Sequence, residues 1–183
     1  MARYLLPTFF LLGAGRCGTT SLARALDQHP EIHMARSKEP TFLSSTFRVV
    51  TDPARYLEEF AVTDRVRASG DASHTYFTHP LSPGIIREFF PHARFVLILR
   101  DPTERALALY SLTRTLGYER FGTFERALEA EDVRFASERF RARCNGSFWD
   151  YMYVRSGLYG TLLSRYLEHF ERDRFFITTL DEL

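Results

Sequence analysis

The sequence is short of cysteine, of lysine and of long apolar runs, and each shortage removes a class of protein. Its two cysteines, Cys17 and Cys144, neither build a disulfide framework nor offer metal-ligand spacing, so a reduced, cytoplasmic setting and no bound metal are expected. No stretch approaches the ~20 apolar residues of a membrane span. The opening Met-Ala-Arg-Tyr-Leu-Leu-Pro-Thr-Phe-Phe-Leu-Leu-Gly has the look of an export signal. Pro7 interrupts it and Arg16 follows closely, so these residues serve better as a first strand. Neither sign of charge dominates, with 24 basic and 23 acidic residues and a formal net charge of +1. No global field is therefore directed at nucleic acid or an anionic membrane. All but one of the basic residues are arginines, and the exception is Lys38. Internal repeats and low-complexity segments are missing too.

What is present suits one α/β domain over residues 1–183, long enough at 45% hydrophobic content to bury a core. The run Phe9 to Leu12 predicts a buried parallel strand, followed by a glycine loop and a helix over Thr19 to Gln28. A second strand is predicted at Ile32 to Ala35, with a polar loop from Arg36 to Pro40. Short helices are predicted over Pro53 to Phe60, with Asp52 as cap, and over Ser82 to Phe90. Gly70 to Tyr76 reads as a loop or strand end. Phe95 to Leu99 gives the strongest strand signal and ends in Arg100-Asp101-Pro102-Thr103-Glu104. There Asp101 can cap a helix, Pro102 suits its first position and Glu104 can complete a capping box. Helices then follow over Pro102 to Leu116, Phe124 to about Arg143 and Ser156 to Phe170, with a last strand at Arg174 to Thr179.

The first loop, Gly13-Ala-Gly15-Arg16-Cys17-Gly18-Thr19-Thr20-Ser21, is built to seat a phosphate-like anion. Its glycines let backbone N–H groups face inward, the helix dipole adds positive potential, and Arg16 brings a planar fork of donors. Gly13-x-Gly15-x-x-Gly18 is also a dinucleotide fingerprint, which needs an acidic residue near the second strand's end; Glu31 and Glu39 fit that poorly. Gly13-x4-Gly18-Thr19-Thr20 is a Walker A pattern whose lysine has become threonine, which disfavours a nucleotide-dependent kinase. Arg100, at the end of the strongest strand and beside a helix N-terminus, offers a second anion site, or else a cap or an ion pair with an acid such as Asp71. Arg105 is expected to pair with acids on its own helix. Cys17, beside Arg16 at a helix start, has either a lowered thiol pKa or the role of a small filler. His74, with a near-neutral pKa, is a candidate base or a loop histidine without a role. Glu39 and Lys38 form either a solvated surface pair or part of a site.

Four motifs in this order resemble the PAPS-dependent sulfotransferases, in their bacterial and heparan-sulfate-type branch. They are Gly13-x-x-Arg16-x-Gly18-Thr19-Thr20-Ser21-Leu22, Lys38-Glu39-Pro40-x-Phe42, Gly70-Asp71-Ala72-Ser73 with Tyr76, and Arg100-Asp101-Pro102-x-x-Arg105-Ala106. The resemblance implies a P-loop-NTPase-like parallel sheet flanked by helices and transfer of a sulfonate from PAPS to an acceptor hydroxyl or amine, with a glycan among the acceptors. It implies that Gly15, Arg16, Cys17, Gly18, Thr19, Thr20 and Ser21 hold the 5′-phosphosulfate, that Arg100 binds the 3′-phosphate, and that Glu39 is the base, with Arg16, Lys38 and His74 beside the reacting groups. The sequence departs from the pattern at Ala108, where relatives carry a serine for the 3′-phosphate; Ser111 lies one turn further on. It also stops before the basic loop that closes over the nucleotide, so an incomplete C-terminal part is expected. A truncated, non-catalytic nucleotide-binding paralogue is the alternative that these departures leave open.

Overall fold

A computed structural model of the chain describes residues 3–44 and 47–183. The strands are β1 (Arg3–Tyr4), β2 (Phe9–Gly13), β3 (Ile32–Met34), β4 (Ala61–Val62), β5 (Ala68–Asp71), β6 (Arg94–Leu99) and β7 (Phe175–Thr179). The helices are α1 (Thr19–Asp27), α2 (Pro53–Glu58), α3 (Thr75–Thr78), α4 (Ser82–Phe89), α5 (Pro102–Thr115), α6 (Phe124–Glu129), α7 (Glu131–Ala136), α8 (Glu138–Arg143) and α9 (Tyr159–Leu167). Five strands form one parallel sheet in the order β3-β5-β2-β6-β7, while β1 and β4 pair antiparallel beside it.

A parallel sheet covered by helices is buried on both faces, so its strands read as continuous apolar runs rather than alternating ones. This is why Phe10, Leu11 and Leu12 in β2 and Phe95, Leu97 and Ile98 in β6 are all buried. Phe95 sits at the centre of the aromatic core, stacked on Phe175 at 4.7 Å and edge-on to Phe170 at 4.6 Å. Full burial of such a ring contributes about 2–3 kcal/mol.

The chain leaves central β2 toward β5 and β3 on one side, then crosses to β6 and β7 on the other. Loops following β2, β3, β5 and β6 consequently gather at one sheet edge, outside the strand carboxyl ends, where such folds form a binding crevice.

Differences from the sequence reading are local. The segment expected as a loop or strand end at Gly70 is the tail of a true strand, β5, followed by the one-turn helix α3. One helix expected over Phe124 to about Arg143 is three: it breaks at Ala130, which ends α6 and starts α7, and again at Ser137, which adopts an extended backbone and caps α8 by accepting from the Phe140 amide. The helix expected from Ser156 begins at Tyr159, after a 3-10 turn over Arg155–Gly157. After β7 the chain closes in a 3-10 turn, Leu180–Glu182, with a capping box between Thr179 and Glu182.

Candidate functional site

The anion loop links β2 to α1. Gly13, Arg16 and Gly18 take positive φ values of 138°, 70° and 84°, a turn that directs successive amides into one concavity. At Arg16 this left-handed backbone is strained for a residue with a Cβ, a kind of strain that clusters at ligand-binding turns. The amides of Gly15, Arg16 and Gly18 find no acceptor among the described residues, and Gly18 caps α1 with no side-chain acceptor. These donors and the first N–H groups of α1 are thus available to an oxyanion. The Arg16, Thr20 and Ser21 side chains are exposed beside them, whereas Thr19 is buried.

Cys17 is fully buried, and its thiol lies 3.7 Å from the Tyr159 hydroxyl. Burial raises its pKa despite the nearby Tyr159, Arg105 and Arg100, which act the other way. The lowered pKa that the helix start suggested is overturned; Cys17 is a core filler, and its amide donates to the Ala14 carbonyl at 3.2 Å within the loop.

Glu39 lies across the crevice, in the loop after β3, with φ at +67°. Its Oε1 accepts from Lys38 Nζ at 2.8 Å, and its Oε2 accepts from His74 Nδ1 at 2.6 Å. Lys38 also donates to the Ala72 carbonyl at 3.3 Å. His74 Nε2 lies 3.5 Å from Asp150 Oδ1, so the ring is held between two carboxylates. Burial works against both charges, yet the ion pairing prevails: His74 is raised to about 10, by Glu39 and Asp150, and Glu39 falls to about 2, by His74 and Lys38. The pairing with two carboxylates favours the charged ring of His74, a hydrogen-bond donor, over the neutral ring that a base requires.

A buried network fixes this cluster. Asp71, at the end of β5, accepts from Ser73 Oγ at 2.6 Å and from the Tyr56 and Tyr76 hydroxyls at 3.0 Å each. Ser73 Oγ in turn accepts from the Thr41 amide at 3.0 Å, and the Tyr76 hydroxyl from the Leu43 amide at 3.2 Å. Burial lifts the Asp71 carboxyl to about 6 against the pull of its three donors. The loop carrying Lys38 and Glu39 is in this way tied to the loop carrying His74.

Arg100 directly follows β6, the strand that pairs with β2 on the side away from β5. Its Nε and Nη2 both lie 2.9 Å from Glu104 Oε2. Asp101 caps α5 as expected, accepting from the Thr103 and Glu104 amides, but the Glu104 carboxylate turns to Arg100 instead of closing a capping box. Asp71 is engaged elsewhere and is not the partner of Arg100. Ala108 is half-buried on α5, and the Ser111 hydroxyl donates to the Leu107 carbonyl of its own helix at 2.9 Å. Arg105 does not pair with acids on its helix: its side chain is buried and donates to the Tyr153 carbonyl.

Two residues of this neighbourhood escaped the sequence reading. Asp150 comes from a 3-10 turn 76 positions after His74, inside an aromatic segment with no motif. Tyr159, at the start of α9, donates to the Arg100 carbonyl at 3.0 Å and so joins the β6 end to Cys17. Among the described residues, no group of three or more histidine, cysteine, aspartate or glutamate side chains is placed to hold a metal ion. Nor is any described helix long and apolar enough to cross a membrane.

Three comparisons bear on this arrangement. The sulfotransferase domain family model matches residues 6–183. Over 187 residues the chain is 26% identical to the bifunctional heparan sulfate N-deacetylase/N-sulfotransferase 1 of Caenorhabditis elegans, covering 97% of the chain and 20% of that protein. Over 106 residues it is 29% identical to the membrane-associated sulfotransferase kil1 of Dictyostelium discoideum, covering 57% of the chain and 22% of that protein. The chain thus spans about a fifth of the length of these curated relatives. The crystal structure of a sulfotransferase from Alicyclobacillus acidocaldarius superposes with a TM-score of 0.84 at 29% identity, over all of this chain and 75% of that one. With nearly every residue inside the matched domain, and the same architecture in a bacterial sulfotransferase, the chain belongs to the sulfotransferase domain family.

Proposed function

We propose that the chain transfers a sulfonate group from PAPS to an acceptor hydroxyl or amine, releasing adenosine 3′,5′-bisphosphate. The observation that carries this reading is the placing of two cationic anion seats at the ends of paired strands, β2 with Arg16 and β6 with Arg100, and of a carboxylate with two cations, Glu39, Lys38 and His74, on the opposite side of β2. A donor nucleotide charged at both its 5′ and 3′ ends spans the first two. The third is where an acceptor loses its proton.

In this reading the amides of Gly15, Arg16 and Gly18, the α1 start with Thr19, Thr20 and Ser21, and the Arg16 guanidinium hold the phosphosulfate, while Arg100 holds the 3′-phosphate. The acceptor oxygen or nitrogen attacks sulfur, its proton passes to Glu39, and the bond from sulfur to the bridging phosphate oxygen breaks. Glu39 is a poor base while it accepts from both Lys38 and His74. An acceptor that draws Lys38 Nζ away from Glu39 and onto the sulfonate frees one carboxylate oxygen for the proton. His74, held as a cation, stabilises the charge gathering on the transferring group. Positioning and charge stabilisation then carry most of the rate.

Glycans are proposed among the acceptors because two of the matched proteins are a heparan sulfate N-deacetylase/N-sulfotransferase and a carbohydrate sulfotransferase. A cytoplasmic setting is proposed from the two free cysteines. The second reading, a nucleotide-binding paralogue without turnover, is favoured by the Ser111 hydroxyl, which is spent on its own helix and leaves Ala108 uncompensated.

Calorimetric titration with adenosine 3′,5′-bisphosphate and with ADP tests the nucleotide. Binding of the bisphosphate that is lost in Arg100→Ala and much weaker for ADP supports the reading. Equal affinity for the two nucleotides would sink it, and bisphosphate binding without turnover on any acceptor would favour the paralogue.

A further inference from the structure

Among the largest fully buried side chains of the described residues is a cation. Arg105, in the second turn of α5, is 1% exposed. One guanidinium nitrogen donates to the Tyr153 carbonyl, while Nε is buried and has no hydrogen-bond partner. Among the described residues no carboxylate forms an ion pair with it. The acids whose fields reach it are already engaged. Glu131 accepts from the Val154 and Arg155 amides and from the Arg155 guanidinium, and Asp150 faces His74. Gly157 leaves the room: a Cβ there would stand 3.2 Å from Arg105 Nη2.

A buried charge without a counter-ion is a burden on the fold, and a methionine or leucine of similar reach would pack there without it. The location suggests what balances it. The charges of Arg105 and of Arg100 both reach the Cys17 thiol inside the anion loop. Tyr159, whose hydroxyl touches Cys17 Sγ at 3.7 Å and the Arg100 carbonyl at 3.0 Å, lies in the same field. Arg105 thus lies on the buried side of the helix that starts just after Arg100, with its field reaching the anion loop.

We infer that Arg105 is a positioning residue for the donor nucleotide: its guanidinium is balanced by the bound phosphate and sulfonate charge rather than by any protein carboxylate, and it holds the loop and the β6 end at positive potential. This rests on the nucleotide reading above. Its consequence is a division of labour in which Arg16 and Arg100 touch the anions while Arg105 draws them from within.

The test compares wild type, Arg105→Met and Arg105→Lys by thermal melting without ligand and by titration with adenosine 3′,5′-bisphosphate at two salt concentrations. The expected result is that Arg105→Met melts at or above the wild-type temperature when unliganded, yet binds the bisphosphate about ten-fold or more weakly, with the loss persisting at high salt because the charge is shielded from solvent. Arg105→Lys, keeping the charge, should bind within about three-fold of wild type. An Arg105→Met protein that melts early but binds as wild type does would overturn the inference in favour of a packing role. Should that variant not fold, a ten-fold loss in Arg105→Lys overturns it instead. Failure of the wild type itself to bind would remove the nucleotide reading, and with it this inference, whereas wild-type binding shared by Arg105→Met removes the inference alone.

Discussion

Gly15 and His74 meet where the anion loop touches the loop after β5: a Cβ on Gly15 would stand 2.8 Å from His74 Cδ2. The contact couples two loops that follow different strands, so the His74 ring can approach the proposed phosphosulfate seat only because position 15 has no side chain. Gly15→Ala is expected to displace the ring from Glu39. A shift of this kind, on the order of 1 Å, costs about 100-fold in turnover. Steady-state rates with a saturating donor check this; unchanged kcat in a folded Gly15→Ala protein would show the contact to be incidental.

Glu39→Gln keeps the shape of the carboxylate and removes its basicity. Turnover should fall by about 10²–10⁴-fold. Affinity for adenosine 3′,5′-bisphosphate should stay within a few-fold, because the Glu39 carboxylate bonds to Lys38 and His74 and not to the anion loop or Arg100. Calorimetry beside single-turnover measurement separates the two, and equal losses in both would remove Glu39 from the base role.

The pairing of His74 with Glu39 makes stability depend on pH. His74 is raised from its ordinary 6.5 to about 10, so its contribution is complete below pH 6.5 and is lost as pH rises through 10. Glu39 is lowered from 4.5 to about 2, so its contribution is complete above pH 4.5 and is lost as pH falls through 2. Both are complete between pH 4.5 and 6.5. The melting temperature of wild type minus that of His74→Gln should be largest in this window and shrink toward pH 10. Asp71 has the opposite tendency for an acid, being raised to about 6, so its contribution is lost as pH passes 6. Because both proteins carry Asp71, that effect drops out of the difference.

A separate ion pair holds the lobe built from α5 to α7. Arg134 donates to both oxygens of Glu119 at 2.7 Å, and the Tyr153 hydroxyl donates to Glu119 Oε2 at 2.7 Å. The two side chains are 9% and 0% exposed, so removing one leaves the other buried and unpaired. Glu119→Ala should destabilise the protein by about 3–5 kcal/mol, as read by urea denaturation. A loss below 1 kcal/mol would mean that water reaches the pair.

The strand cores and the two strand-to-helix junctions were legible in the sequence because buried parallel strands leave unbroken apolar runs, and Asp-Pro and Gly-Thr-Thr-Ser mark helix starts. Lys38, Glu39 and His74 were legible as candidates because their segments resemble the family's motifs, not because polarity alone marks them. The state of His74 was not legible. Its second carboxylate, Asp150, arrives from a distant turn, and one acidic residue among Phe148, Trp149 and Tyr151 carries no local signal. Arg105 was misread for a related reason: next to Glu104 and three residues after Pro102 at a helix start, it looks solvated, and only the packing of Gly157 and Tyr153 against α5 turns it inward. The break between α7 and α8 turned on one serine choosing to cap rather than continue.

Arg100 is never a bare cation in this molecule. Glu104, itself 62% exposed, occupies its fork through a pair of contacts of the kind that are worth little at a protein surface. A carboxylate built into the first turn of α5 is thus the resident stand-in for the phosphate proposed at that seat, keeping the guanidinium aimed while the crevice is open to water. Under the proposed function, nucleotide exchange would be a swap of one anion for another, in which arrival ejects Glu104 and departure calls it back. Discrimination for the 3′-phosphate would then be set by how far a dianion outbids a side chain already in place.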